Sequence, residues 1–180
     1  MNVQAIKMVE NFDLPVAPST PGSAGVDLCS TVTVYIQPKE TILIDTGWKI
    51  WIKDPNYAGL IMARSSIAVK KGLAPANKVG LIDSDYQGPL KVALHNHSST
   101  PELVNIGDRI AQLVIIPVVP FELSEVLTFE SNTVRGNEGF GSTGVTVSDN
   151  LARYSTVAEK FGKKEPTQLS FEQISGFLSK

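Results

Sequence analysis

Residues 31–52 read Thr-Val-Thr-Val-Tyr-Ile-Gln-Pro-Lys-Glu-Thr-Ile-Leu-Ile-Asp-Thr-Gly-Trp-Lys-Ile-Trp-Ile. Thr31–Ile36 is rich in β-branched and aromatic side chains, which pack well on a pleated surface. Pro38-Lys39 breaks that run, and two further apolar runs, Thr41–Asp45 and Trp48–Ile52, flank Thr46-Gly47. Short strands punctuated by turn residues predict an all-β sandwich or barrel. The same grammar extends both ways. Val3–Val9 alternates, and Ala58–Ala63, Val79–Asp83, Pro89–His97, Leu103–Ile106 and Arg109–Val119 are further strand runs. Asp54-Pro55-Asn56, Gln87-Gly88 and Gly107-Asp108 mark turns between them. Ser65–Lys71 is the exception, a short helix predicted to stop before Gly72.

With 180 residues, 42% hydrophobic and 19% charged, the chain is long enough for one domain with an appendage. A net charge of −2 argues against general binding of nucleic acid or an anionic membrane. The sole cysteine, Cys29, allows no internal disulfide and fits a reducing compartment. Met1–Glu10 lacks a signal-peptide apolar core, and Leu113–Val119 is too short to span a bilayer and contains Pro117. These features together predict a cytoplasmic protein.

The last apolar strand run is followed by Arg-Gly-Asn-Glu-Gly-Phe-Gly-Ser-Thr-Gly at 135–144. Glycines let backbone N–H groups approach a ligand, and an arginine fork suits phosphate. The ring of Phe140 among such groups fits a ligand carrying both a phosphate chain and a flat base; a plain linker would need neither Arg135 nor Phe140. Beyond Gly144, Leu151, Tyr154, Ala158 and Phe161 fall at helical spacing, and Ser170 with Gln173 reads as a capping box before Phe171, Ile174 and Leu178. Residues 148–180 are thus expected to form two short amphipathic helices, packed on the parent body or offered to an unknown protein partner.

Val79–Gly88 is a second informative stretch, with an apolar strand running into Asp83, Asp85, Tyr86 and a turn. Alternation places Asp83 and Asp85 on one side of an extended strand. A carboxylate at a strand end can orient a water and accept its proton, although both acids could instead cap a hairpin. Arg64-Ser65-Ser66 puts a cation and two hydroxyls where a strand meets a helix start, a place suited to anions unless Ser65 is simply an N-cap. Gln112 is polar within an otherwise apolar strand, so it satisfies a core hydrogen bond or points into a site. Ser23–Leu28 reads as a small-residue turn leading to Asp27. The two histidines, His95 and His97, have no third ligand at metal spacing, so neither a zinc site nor a serine–histidine triad is expected.

Taken in order, five segments resemble the motifs of the trimeric deoxyuridine triphosphatases (dUTPases): Ala24–Leu28, Arg64–Ser66, Gly80–Gly88, Gly107–Leu113 and Arg135–Gly144. The likeness covers about residues 1–144. It implies a jelly-roll-like β subunit (residues 1–128) and a glycine-rich arm (129–147) that completes the site, with the helical extension (148–180) lying beyond the likeness. It further implies a homotrimer with shared active sites, and hydrolysis of dUTP to dUMP and pyrophosphate with Mg²⁺. In this scheme Asp83 activates the attacking water. Tyr86 packs beneath the deoxyribose, and Asn77 reads uracil. Arg64, Ser65, Ser66 and Gln112 hold the phosphate chain, and Asp27 reaches Mg²⁺ only through water. Arg135, Ser142 and Thr143 grip the terminal phosphates, with Gly141 beside them in the substrate-binding arm, and Phe140 stacks on the base. Two departures stand out. Ser66-Ile67 replaces the usual glycine of the second motif, and the extension could tether the arm at both ends. The alternatives on this fold are a dCTP deaminase and a regulatory, nucleotide-gated binding module.

Overall fold

The computed structural model describes residues 2–10, 13–137 and 139. It divides into two compact units, Met1–Leu123 and Ser124–Lys180. In the first unit the elements run β1 (Gln4–Lys7), β2 (Val26–Cys29), β3 (Val34–Ile36), β4 (Thr41–Trp51), β5 (Tyr57–Met62), α1 (Ser65–Lys71), β6 (Leu73–Pro75), β7 (Val79–Ile82), β8 (Pro89–Asn96), β9 (Glu102–Val104) and β10 (Arg109–Pro117). The strands form sheets ordered β1-β4-β8-β6, β2-β10-β5-β7 and β3-β9, all antiparallel. This is the expected all-β, jelly-roll-like architecture. Between the sheets Ile44, Leu90, Val92 and Leu94 meet Leu28, Ile61, Ile110 and Leu113, with Ile36 and Val104 from the small sheet. Burying each such side chain contributes about 1.5–3 kcal/mol.

Helix α1 occupies the expected residues and ends at Gly72, whose φ of 62° is the left-handed C-cap conformation. Its N-cap is Arg64, with no side-chain capping bond, so Ser65 is the first helical residue and not the cap. The two runs around Thr46-Gly47 are one strand, β4. The β4–β8 register slips between Asp45 and Lys49, and Gly47 takes φ 74° there while its N–H donates to Asp45 Oδ1 at 2.7 Å. A bulge, which tolerates positive φ at glycine, replaces a turn at that point. Asp83 and Asp85 also depart from expectation. Strand β7 stops at Ile82, and a turn closed by Tyr86 N–H to Asp83 C=O (3.2 Å) removes the alternation that would have aligned the two acids.

The sheet β2-β10-β5-β7 is apolar on both faces. Gly59, Ile61, Ile82, Leu113 and Ile115 point to the core, whereas the rows Val114–Leu60–Leu81 and Gln112–Met62–Val79 face outward. In the second unit, residues 124–137 and 139 contain no strand or helix and are exposed. Gly136 N–H donates to both the carbonyl and the hydroxyl of Thr133 at 3.1 Å, which places Arg135 within a turn. Phe140, Gly141, Ser142, Thr143 and the helices expected in 148–180 lie outside the described residues.

Candidate active site

The second-motif arginine is held by an acid from β2. Arg64 Nε lies 2.6 Å from Asp27 Oδ1, and Arg109 Nη1 lies 3.2 Å from Asp27 Oδ2. Arg64 Nη1 also donates to the Arg109 carbonyl at 3.3 Å. The Asp27 side chain is only 17% exposed, so these charge-assisted bonds are less screened than surface pairs. Ser65 and Ser66 begin α1 with exposed hydroxyls, and Gln112 sits opposite Asp27 across β10 and β2. The Gln112 amide donates to Ala63 C=O at 3.0 Å, which leaves its Oε1 toward the space beside Gly25. Asp27, Arg64, Ser65, Ser66 and Gln112 thereby line one polar cavity of about 310 Å³, together with Ser19, Ser23 and Arg109. The cavity brings together residues of the first, second and fourth segments, Ala24–Leu28, Arg64–Ser66 and Gly107–Leu113, and none of Gly80–Gly88.

A second cluster lies on the loops flanking β7. Asn77 stands in a tight turn, with Lys78 at φ 65° and Val79 N–H donating to Asn77 C=O at 2.7 Å. Asp83 is exposed at the end of β7, and Lys53 N–H holds the following turn through Ser84 C=O at 2.9 Å. The Tyr86 ring folds back over Gly88, where any Cβ would collide with the phenol, and its hydroxyl donates to Pro89 C=O at 3.0 Å. The ring is thereby held at its hydroxyl while the residue stays 41% exposed. Asn77 thus offers an amide in the loop before β7, and Asp83 and Tyr86 offer a carboxylate and an aromatic platform in the loop after it.

Within one chain the loop that carries Asp83 and Tyr86 stays apart from the phosphate cavity. Gln112 pairs with Met62 and Met62 with Val79, whereas Ile82 pairs with Gly59 at the far end of the same strands. Asp83 follows Ile82, and Arg64 follows Met62, so about six residues of extended chain separate the two levels, roughly 20 Å. Arg109, Ser19 and Ser23 line the cavity although sequence reasoning did not single them out. Regular alternation would set Arg109 and Gln112, three residues apart, on opposite faces. The β10–β2 register slips between Arg109 and Ala111, and that bulge turns Arg109 back to the cavity.

No group of three or more His, Cys, Asp or Glu side chains among the described residues could hold a metal. Both Asp27 oxygens already accept from arginines, and each keeps a lone pair that can accept from a water. Cys29 is buried at the end of β2, two residues beyond Asp27. Burial raises its thiol pKa above 9.0, aided by Asp27 and Asp108 and opposed by Arg109 and Arg64, so it stays protonated at neutral pH. No helix among the described residues is long and apolar enough to cross a membrane.

Comparison with known proteins gives a consistent picture. The sequence model of the dUTPase family matches residues 12–144. The chain is 53% identical over 135 residues to the deoxyuridine 5'-triphosphate nucleotidohydrolase of Histophilus somni, covering 74% of this chain and 88% of that protein. Over 150 residues it is 45% identical to the enzyme of the same name from Neisseria meningitidis, covering 81% and 99%. Among solved structures it is similar to the dUTPase of Staphylococcus bacteriophage 80alpha with dUpNHpp, at TM-score 0.70 and 30% identity, covering 80% of this chain and 99% of that one. A phage phi11 dUTPase, described with a structural Mg(II) ion, matches at TM-score 0.66 and 28% identity over 73% of this chain. The chain belongs to the dUTPase family.

Proposed function

We propose that this protein hydrolyses dUTP to dUMP and pyrophosphate, keeping uracil out of DNA and supplying dUMP. The observation that carries the reading is the single polar cavity in which Arg64, Ser65, Ser66 and Gln112 converge beside Asp27. Arg64 has five N–H donors, of which two are committed to Asp27 and Arg109. Three remain for a phosphate chain, joined by two serine hydroxyls. In the second cluster, Asn77 and the neighbouring backbone read uracil, and the ring of Tyr86 receives the deoxyribose and leaves no room for a 2′-hydroxyl. Asp83 takes a proton from a water as that water attacks the α-phosphorus in line, and pyrophosphate departs with the electrons of the cleaved P–O bond. Positioning and charge stabilisation supply most of such a rate enhancement. Arg135, Gly141, Ser142 and Thr143 grip the outer phosphates, and Phe140 closes on the base.

The donor set suits Mg²⁺ carried by the triphosphate and its waters, with Asp27 reaching it through a water only. When bound, the ion would offset phosphate charge and orient the chain. Ser66 lines the cavity, whereas Ile67, standing where a glycine is usual, is buried in the core and adds no side chain beside the phosphates.

One chain separates the carboxylate from the phosphate cavity, which supports a homotrimer whose sites draw each cluster from a different subunit. Two other observations support association. The outward face of the second sheet exposes Val79 and Leu81, and Val119, Phe121 and Leu123 present an exposed stripe at every second residue. Such apolar area is stabilised by cover. A cytoplasmic setting and a protein partner for 148–180 belong to the same proposal, the first supported by the unpaired Cys29.

Pyrophosphate release from dUTP, dTTP, dCTP and UTP tests the reading. The expected result is selective cleavage of dUTP that falls by about 10²–10⁴ in Asp83→Asn, the range for losing a general base. Full activity in Asp83→Asn together with loss in Asp85→Asn would show that the wrong carboxylate is named, and ammonia release from dCTP would instead favour a deaminase.

A further inference from the structure

The geometry points to Arg109 as a positioning residue for the triphosphate: it aims Arg64 and keeps the cavity cationic. This rests on reading the Arg64 cavity as the phosphate subsite. Arg109 touches Arg64 twice, once through its own carbonyl, which accepts from Arg64 Nη1 at 3.3 Å, and once through Asp27, which its guanidinium shares with Arg64. Both contacts depend on the bulge at Ile110. That irregularity places Arg109 and Gln112 on the same face and lets the Arg109 side chain reach back to β2. A bulge that re-aims a side chain beside a site is a recurrent device.

The charge count shows what Arg109 adds. Arg64 and Asp27 alone form a neutral pair, and an arginine fully matched by a carboxylate attracts a polyanion weakly. Arg109 brings the trio to +1, and it shares the carboxylate, taking Asp27 Oδ2 at 3.2 Å while Arg64 Nε takes Oδ1. Without Arg109, Asp27 is free to engage Arg64 in the bidentate mode that arginine and carboxylate favour. That would draw the Nη donors away from the phosphates. Arg109 itself is 54% exposed, so its side chain is not needed to fill the core.

The test compares wild type, Arg64→Ala, Arg109→Gln, Arg109→Lys and Arg64→Ala/Arg109→Gln as intact proteins. Initial rates with dUTP are read beside the dissociation constants of dUMP and of the non-hydrolysable dUpNHpp. Arg109→Gln is expected to weaken dUpNHpp and raise the KM for dUTP by about tenfold, while dUMP binding changes by less than about twofold. Arg109→Lys, which keeps the charge, recovers most of the loss. In the Arg64→Ala background Arg109→Gln adds little further loss, because residues acting as one unit are non-additive. Fully additive losses, or equal weakening of dUMP and dUpNHpp, overturn the positioning role. If Arg64→Ala itself leaves kcat/KM for dUTP unchanged, the reading of the cavity fails instead, and the two failures are thereby told apart.

Discussion

The hydroxyl of Tyr86 donates to the main-chain carbonyl of Pro89 across Gly88, at 3.0 Å, so the ring is strapped flat over a residue with no side chain. This strap converts a flexible aromatic into a platform. It also makes the platform depend on a residue that touches no ligand.

Gly88→Ala is therefore expected to displace the Tyr86 ring, because the added methyl would overlap the phenol. Discrimination of dUTP over UTP should fall by about tenfold, the lower range for one lost shape contact. Tyr86→Phe removes the strap but keeps the ring, and should cost less. Comparing kcat/KM for dUTP and UTP in both variants checks this; undiminished discrimination in Gly88→Ala would count against the platform.

Asn96 is fully buried and ties three backbone groups together. Its amide donates to Ile36 C=O (2.9 Å) and Thr100 C=O (2.8 Å), and its Oδ1 accepts from Ser98 N–H (2.8 Å). Asn96→Ala leaves those groups unpaired in the interior, at a cost of about 2–4 kcal/mol. Urea denaturation of the two proteins should show a lower midpoint with an unchanged slope.

Cys29 carries a pH signature. Because burial raises its pKa, the folded state holds the proton at a pH where the unfolded chain has lost it. Unfolding then releases a proton, so stability falls as pH climbs above about 9. Thermal melting between pH 7.5 and 10.5 should drop more steeply in wild type than in Cys29→Ala, and the native thiol should resist iodoacetamide at pH 8 until denatured.

Leu81 stands on the outward face of β7 with 62% of its surface exposed in the single chain. In a trimer that covers this face, Leu81→Asp would bury a charge without a partner. Sedimentation should then show loss of the trimer while the far-ultraviolet spectrum keeps its β character. A variant that stays trimeric would mean that this face is not the covered one.

Much of the fold was legible along the chain because strand runs of β-branched residues and turn residues are local signals. Helix α1 was readable to the residue, since Gly72 stops it by its own backbone preference. Strands β2 and β6 were not, because Val26–Cys29 and Leu73–Pro75 are too short to show a period and owe their conformation to partners distant in sequence. The order of motifs likewise named Arg64, Gln112, Asp27 and Asp83 before any coordinates. Tertiary structure alone decided how they are grouped. A bulge in β10 reversed the alternation that hid Arg109, and a turn after Ile82 undid the alignment of Asp83 with Asp85. Side-chain type is written in the sequence, but direction and distance across strands come from pairing register, which one inserted residue can invert.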